Sequence, residues 1–448
     1  MNLKDAALYT IVAVGAAGGS LWLAGSSGSK GPDTSNWLPA RKADLHAKPL
    51  SEYPDRAPFL ESEWLDDHWT TPIPAQGKKP EGWSALETDL NPETCGICHP
   101  SQYADWKESW HANAMGPGVV GQLLDRDKPD DGYAEICQAC HAPLTEQHPF
   151  VQETTFETDE AGKKKKTITG EVNPDFDPEL RSQGLTCAAC HVRDWQRHGP
   201  PKDDQGLEPV TTGPHGGFVP KAEYQDSRFC YRCHDFRPGK RSLNDKLIQE
   251  TYEEWRRTKY AEQGVHCQDC HMPEGRHLFK GIHDSDMVAK AFTANVQLQD
   301  QPDETEDLIA SFKITNTGAG HRFPTYVTPQ VNLVIWQVNG QGEAIEGTKK
   351  MDAVARKVSP NISTEYFDTR LMPDESHSFE YQAPRHESAV ALQAAVEVWP
   401  DENYTTFYRL RIKNGASMHP TTLPMMQEAL DDSLASRFTA WEQRIDLD

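Results

Sequence analysis

Five times in this 448-residue chain, two cysteines separated by two residues are followed at once by histidine. The runs are Cys95-Gly-Ile-Cys98-His99, Cys137-Gln-Ala-Cys140-His141, Cys187-Ala-Ala-Cys190-His191, Cys230-Tyr-Arg-Cys233-His234 and Cys267-Gln-Asp-Cys270-His271, and they use all ten cysteines. CxxCH is the attachment signature of haem c. Two thiols add across the two vinyl groups of one porphyrin, and two intervening residues let both sulfurs reach the same edge. The adjacent imidazole then falls beneath the iron as its proximal ligand. Zinc ribbons and redox dithiols share an isolated CxxC, and disulfide staples would also consume cysteines, but none of these accounts for the five histidines. The sequence therefore predicts five covalent haem c groups, with His99, His141, His191, His234 and His271 on the irons.

That prediction shapes the rest of the chain. Only 37% of residues are hydrophobic, which suits a core built partly from flat porphyrin surfaces. The formal net charge is −23, which argues against nucleic acid and anionic lipid surfaces as partners. It permits steering of basic redox partners, although a solvated acidic surface is the plainer reading.

The chain divides into four regions. Residues 1–25 include an uncharged run, Ala6 to Gly25, long enough to span a bilayer. It reads as an N-terminal anchor, with a cleaved signal peptide as the alternative. Haem c attachment takes place outside the energised membrane, so the expected location is the periplasmic side, anchored or secreted. Residues 26–85, rich in Pro, Ser and Trp, read as an extended tether. Residues 86–290 carry every CxxCH and form the expected pentahaem domain, mainly α-helical and loop, organised by haem packing. Within it, aromatic runs at helical spacing begin at Ser101 and Leu247, and 152–172 reads as an exposed hairpin around Lys163 to Lys166. Residues 291–448 change character. "FTANVQLQ", "LIASFKITNT", "QVNLVIWQV", "HSFEYQA", "VALQAAVEVW" and "TTFYRLRI" read as short strands of an antiparallel β-sandwich, and about 423–442 as a C-terminal helix.

The motif blocks carry a resemblance. "CGICHPSQYADWKESWHANAM", "CQACHAPL", "LTCAACHV", "FCYRCHDF", "GVHCQDCHMP…GIHDSDM" and "NTGAGHRFPT" resemble successive blocks of a family of periplasmic multihaem c-type cytochromes. Its best-known relative is the tetrahaem cytochrome that partners hydroxylamine oxidoreductase. The resemblance implies closely packed haems, mostly with two histidine ligands, acting as an electron wire. It departs from that relative in having five sites, an N-terminal apolar segment and a long β region.

The same resemblance places distal ligands at His111, His283 and His321, and His215 and His277 are the next choices. His266 competes with them; His148, His198 and His419 are weaker candidates. Met115, Met272 and Met418 are substitutes that would raise the potential of an iron. A ligating His321 would make the β region clamp the haem region. Two function classes follow. The first is electron transfer between a membrane quinol-linked or periplasmic oxidoreductase and another redox carrier. The second is a reductase or oxidase of a small nitrogen or sulfur compound at an open haem. No CxxCK site marks such a haem, and no catalytic acid–base set stands out, so electron transfer is favoured.

Overall fold

The computed structural model describes residues 46–158, 164–202, 206–236, 242–299, 307–415 and 419–447. The expected anchor at 1–25 lies outside the described residues. Among the described residues, no helix is long and apolar enough to cross a membrane. The chain is a mixed α/β protein with short helices and several antiparallel sheets.

Each CxxCH sits at the end of a short helix: α1 Pro92–Cys98, α2 Tyr133–His141, α3 Cys187–His191, α4 Arg228–His234 and α5 Cys267–His271. One helical turn brings both thiols and the imidazole to the same side, which explains why such short helices suffice. Loops and brief helices connect them. The helix Pro100–Lys107 is tied to motif 3 by Trp106, whose indole donates to the Leu185 carbonyl at 2.8 Å. Residues 46–85 do more than drape over the body, because Leu65, Trp69 and Ile73 are buried against Leu180, Ala188 and Val192 around α3. Strands β1 Phe150–Thr158 and β2 Lys164–Val172 form an antiparallel hairpin that leaves Phe156 and Val172 exposed.

Beyond residue 291 the strands are β3 Phe292–Leu298, β4 Asp307–Asn316, β5 Gln330–Val338, β6 Lys350–Val358, β7 Glu365–Asp368, β8 Ser376–Pro384, β9 Ala391–Trp399 and β10 Phe438–Asp446. They make a five-stranded sheet in the order β7-β6-β5-β9-β10 and a three-stranded sheet in the order β8-β4-β3, with antiparallel pairing throughout. Phe312, Ile314, Phe379 and Tyr381 from the smaller sheet share one core with Leu333, Ile335, Leu392 and Val396 from the larger. The alternating burial of β4 and β8 is what a half-buried strand requires.

Two expectations are corrected. "TTFYRLRI" is no strand; it lies within helix α6, Glu402–Lys413. Its apolar residues recur at helical spacing once Tyr404 is counted, and Phe407 and Tyr408 pack against Met426 and Ala429. The C-terminal helix is α7, Thr422–Ala435, and the chain then returns as the edge strand β10 rather than continuing helical to 442. Helix α7 also packs against the helix Pro117–Leu123 beside motif 2. Gly118 and Gly121 permit that approach, since a Cβ on either would collide with Tyr408 or Met426.

Candidate haem sites

An imidazole that binds iron through Nε2 needs its other nitrogen held, because that second hydrogen bond fixes both tautomer and ring direction. Three motif histidines meet this requirement through Nδ1: His141 donates to the Ala114 carbonyl at 2.6 Å, His191 to His198 at 2.7 Å and His271 to Lys280 at 2.6 Å. Three of the predicted distal histidines do the same. His215 donates to Gly217 at 3.0 Å, His277 to Gly275 at 3.1 Å and His321 to Arg322 at 2.8 Å. Among the described residues Nε2 has no hydrogen-bond partner in any of the six, so the chain fits the group that the motifs imply.

The spacing of the rings fits too. Two imidazoles on one metal, each nitrogen about 2 Å from it as in other histidine sites, bring their ring centres about 6 Å apart. The structure brings three motif histidines to that distance from a predicted distal histidine. His191 and His277 lie 6.1 Å apart, His234 and His111 6.3 Å, and His271 and His321 6.3 Å. Their planes differ by 39°, 58° and 14°, respectively. Burial holds His111 at a pKa of about 3 and His191 and His234 at about 4, and it lowers His271 and His277 as well. Near neutral pH these rings are therefore uncharged, the form that ligates metal.

Long-range contacts position two of the predicted distal rings. Asp105, on the helix Pro100–Lys107, holds the His277 segment: Arg276 reaches it at 2.5 and 2.6 Å, and the His277 backbone N–H donates to it at 3.1 Å. His321 follows the turn at Gly318, where a Cβ would collide with the Lys290 carbonyl. Its own carbonyl accepts from the Asn316 side chain at 2.9 Å.

The other candidates are placed differently. His215 lies close enough to His99 for that charge to lower its pKa, behind burial and Arg197 as causes. His283 turns Nε2 onto the Asp401 carboxylate at 2.9 Å and packs at a tilt against Trp110, ring centroids 4.1 Å apart. His266 accepts from the Ser227 backbone N–H at 3.2 Å. His148 donates through Nε2 to Ala142 at 2.9 Å, and His419 bonds Thr421. Met115 is buried beside Cys137, whereas Met418 lies outside the described residues.

The cysteines also meet across motifs. Cys95 lies close enough to Cys187, Cys140 to Cys233, and Cys267 to Cys230 for each neighbour to lower the first-named thiol's pKa. Cys190 lies near enough to both Cys230 and Cys233 to raise them further, behind their thiol partners and burial. Motif 1 thus abuts motif 3, motif 3 neighbours motif 4, and motif 4 abuts motifs 2 and 5.

Several site features were not expected from sequence. Tyr224 lies parallel to the His191 ring. His68 and His198 sit buried, 6.2 Å apart, with both nitrogens of His68 and Nδ1 of His198 unpartnered. The Tyr326 and Tyr404 hydroxyls lie near each other and near Cys137 and Cys140. His198 is among the weaker candidates read from the sequence; no local pattern marks the others, since each acquires its place from distant segments.

Residues 94–162, which contain motifs 1 and 2, match the family model described as cytochrome c554 and c-prime. Among solved structures, the chain is similar to a penta-haem cytochrome c552 from Thermochromatium tepidum, at 17% identity and a TM-score of 0.54, over 81% of this chain and 100% of that one. At that identity the likeness shows a shared fold. A putative ApaA protein from Bordetella pertussis is matched at 13% identity over 24% of this chain and 77% of that one, and its TM-score of 0.14 carries no argument. No curated protein matches the chain. With five CxxCH runs in sequence, these findings support a multihaem c-type cytochrome that binds haem c covalently.

Proposed function

We propose that this chain is a pentahaem electron-transfer protein, held by its N-terminal segment on the periplasmic side of the cytoplasmic membrane. It would pass electrons between a quinol-linked or periplasmic oxidoreductase and another redox carrier. The observation that carries the reading is the contact of thiols between motifs. Thioether sulfurs are part of the attached group's edge, so adjacent thiols imply adjacent edges and short electron steps. Haem c supplies a one-electron couple whose potential answers to axial ligand, burial and hydrogen bonding. The chain's own work is to hold the edges in contact and to keep the axial imidazoles neutral and anchored through Nδ1. The contacts describe a branched line, motif 1 to 3 to 4, with 2 and 5 both joined to 4. His277, His111 and His321 are the proposed distal ligands of motifs 3, 4 and 5. His215 is proposed for motif 1, and His283 stays a candidate that would have to bind through Nδ1.

A second reading, a reductase or oxidase of a small nitrogen or sulfur compound, is favoured by one observation at motif 2. There the hydroxyl pair of Tyr326 and Tyr404 lies near the cysteines, and among the described residues no imidazole is found at axial spacing from His141 comparable to those of motifs 3, 4 and 5. One set of measurements separates the readings. Denatured mass spectrometry of the mature protein should give the chain plus five haem masses, and four or fewer would contradict the count. Carbon monoxide should leave the reduced spectrum unchanged. A stoichiometric carbon monoxide complex, together with turnover of a nitrogen or sulfur oxyanion, would move the assignment to the enzyme.

A further inference from the structure

We propose that Tyr224 is a positioning residue for motif 3, one that fixes the plane of the His191 imidazole and so sets the electronic state of the iron bound there. The proposal rests on the reading of His191 and His277 as the axial pair of a low-spin haem.

The geometry is specific. The Tyr224 ring lies over the His191 ring with centroids 5.2 Å apart and planes only 12° from parallel. Its hydroxyl donates to the Cys190 carbonyl at 2.5 Å, one residue before that histidine. The tyrosine cannot swing away. Phe229 packs against it at 4.4 Å, Trp64 and His68 close in at 5.9 and 6.1 Å, and Tyr224 is only 9% exposed. Its backbone is fixed as well, because its carbonyl accepts from the Gln268 side chain at 2.9 Å. Gln268 lies between the two cysteines of motif 5, so the tyrosine is braced by two motifs at once.

The His191 ring is already tied at one point, Nδ1–H to the His198 carbonyl at 2.7 Å. A single hydrogen bond fixes the tautomer and roughly the ring direction, yet it allows rocking about the axis that runs toward the metal. A parallel aromatic slab removes that remaining freedom, since any rotation of the imidazole would drive its edge into the tyrosine face. The plane matters because an imidazole donates π density from one orbital perpendicular to its ring. The angle between two axial rings therefore decides how far the two iron orbitals of matching symmetry are split. Near-parallel rings split them widely and give a rhombic paramagnetic resonance signal; strongly crossed rings bring them together and give one large g value. The three pairs described here, at 14°, 39° and 58°, should then give distinct signals. Tyr224 is the side chain that holds the middle one. Contacts that orient a metal ligand are a recognised lever on the metal's potential.

The test uses the full five-haem protein and paramagnetic resonance of its oxidised form, with a potentiometric titration beside it. His277→Ala identifies the motif 3 signal, because that low-spin signal disappears when its distal ligand is lost. Tyr224→Leu, which removes the slab, should then shift the g values of that one signal and the potential of one haem, leaving the others in place. Tyr224→Phe, which keeps the slab and drops only the hydroxyl, should leave the signal where the parent has it. An unmoved signal in the leucine variant would overturn the proposal. So would a phenylalanine variant that moves as far as leucine; where leucine impairs haem attachment, Tyr224→Met, which fills the volume without a flat face, should shift the same signal, and an unmoved one overturns the proposal. Should His277→Ala remove no low-spin signal, the axial assignment itself falls and takes the proposal with it, a result distinct from either of the others.

Discussion

Replacing Arg370 by methionine tests whether the β region is locked to the helices by buried charge. Arg370 is 2% exposed and donates three bonds at 2.9 Å, one from Nη1 to Glu254 and two, from Nε and Nη2, to Asp368. Glu254 lies on the helix Thr251–Arg256, anchored through Asp235 just after motif 4, whereas Asp368 ends β7. Burial opposes both charges. Arg370 and Lys246 nevertheless hold the Asp368 carboxyl well below the usual range, and Asp368 and Glu254 raise Arg370. Methionine preserves bulk and removes the charge. Asp368 would keep Lys246 at 2.5 Å, but Glu254 would be left with Thr325 at 2.9 Å, the Arg322 backbone N–H at 3.3 Å and the Arg322 guanidinium at 4.0 Å. Breaking a buried pair from one side costs about 3–5 kcal/mol, and the surviving partners argue for the lower half, about 3–4 kcal/mol. At about 2–4 °C per kcal/mol for a unit of 150–250 residues, the melting temperature should fall by about 6–16 °C. Calorimetry of the haem-loaded protein measures it, with Arg370→Lys expected in between because lysine keeps charge but not the planar fork. A melting temperature within about 2 °C of the parent would show that the junction is held by apolar packing instead.

Two further outcomes follow from the same structure. His321→Ala should keep haem attachment intact while one iron becomes high-spin, and a low-spin spectrum identical to the parent would remove His321 from the ligand set. His68, whose pKa is lowered to about 2 first by burial and then by Arg193, is neutral when folded and protonates with an ordinary value of 6.5 when unfolded. Its contribution is therefore present above pH 6.5 and is lost as the pH falls from there toward 2. His68→Phe should leave stability at pH 7 equal or higher, since two unpartnered nitrogens are removed, and should flatten the acid decline. An acid decline as steep as the parent's would refute that account.

What the sequence makes legible depends on whether the chemistry is local. CxxCH is readable because one porphyrin edge dictates one contiguous spacing. The alternation in Phe292–Leu298 and Ser376–Pro384 is readable because one face of each strand meets a core. "TTFYRLRI" misled because its threonines and aromatics favour strands in isolation, whereas Tyr404, Phe407 and Tyr408 are committed to a helical face by Met426 and Ala429. Pairing was not legible at all. Nothing in sequence couples His234 to His111 rather than to His277, because the partners of each pair lie 50 to 123 residues apart (His271–His321, His191–His277, His111–His234) and only the fold brings them together. The junction is equally hidden. Glu250, Glu254, Arg322, Asp368 and Arg370 are ordinary surface residue types until folding buries them together.

The thiol contacts carry a consequence for biogenesis. Cys95 with Cys187, Cys140 with Cys233, and Cys230 with Cys267 are neighbours only in the folded chain, and each pair spans two attachment motifs. In an oxidising compartment, a chain that closed before loading would hold three pairs of thiols ready to form disulfides. Each such bond would take one sulfur from two motifs at once, so three bonds would disable all five sites. If the chain is loaded with five haems in such a compartment, as proposed, maturation would run in one order, with porphyrin added to an open, reduced chain and tertiary closure afterwards. The packing that would let electrons step from edge to edge makes late loading self-defeating.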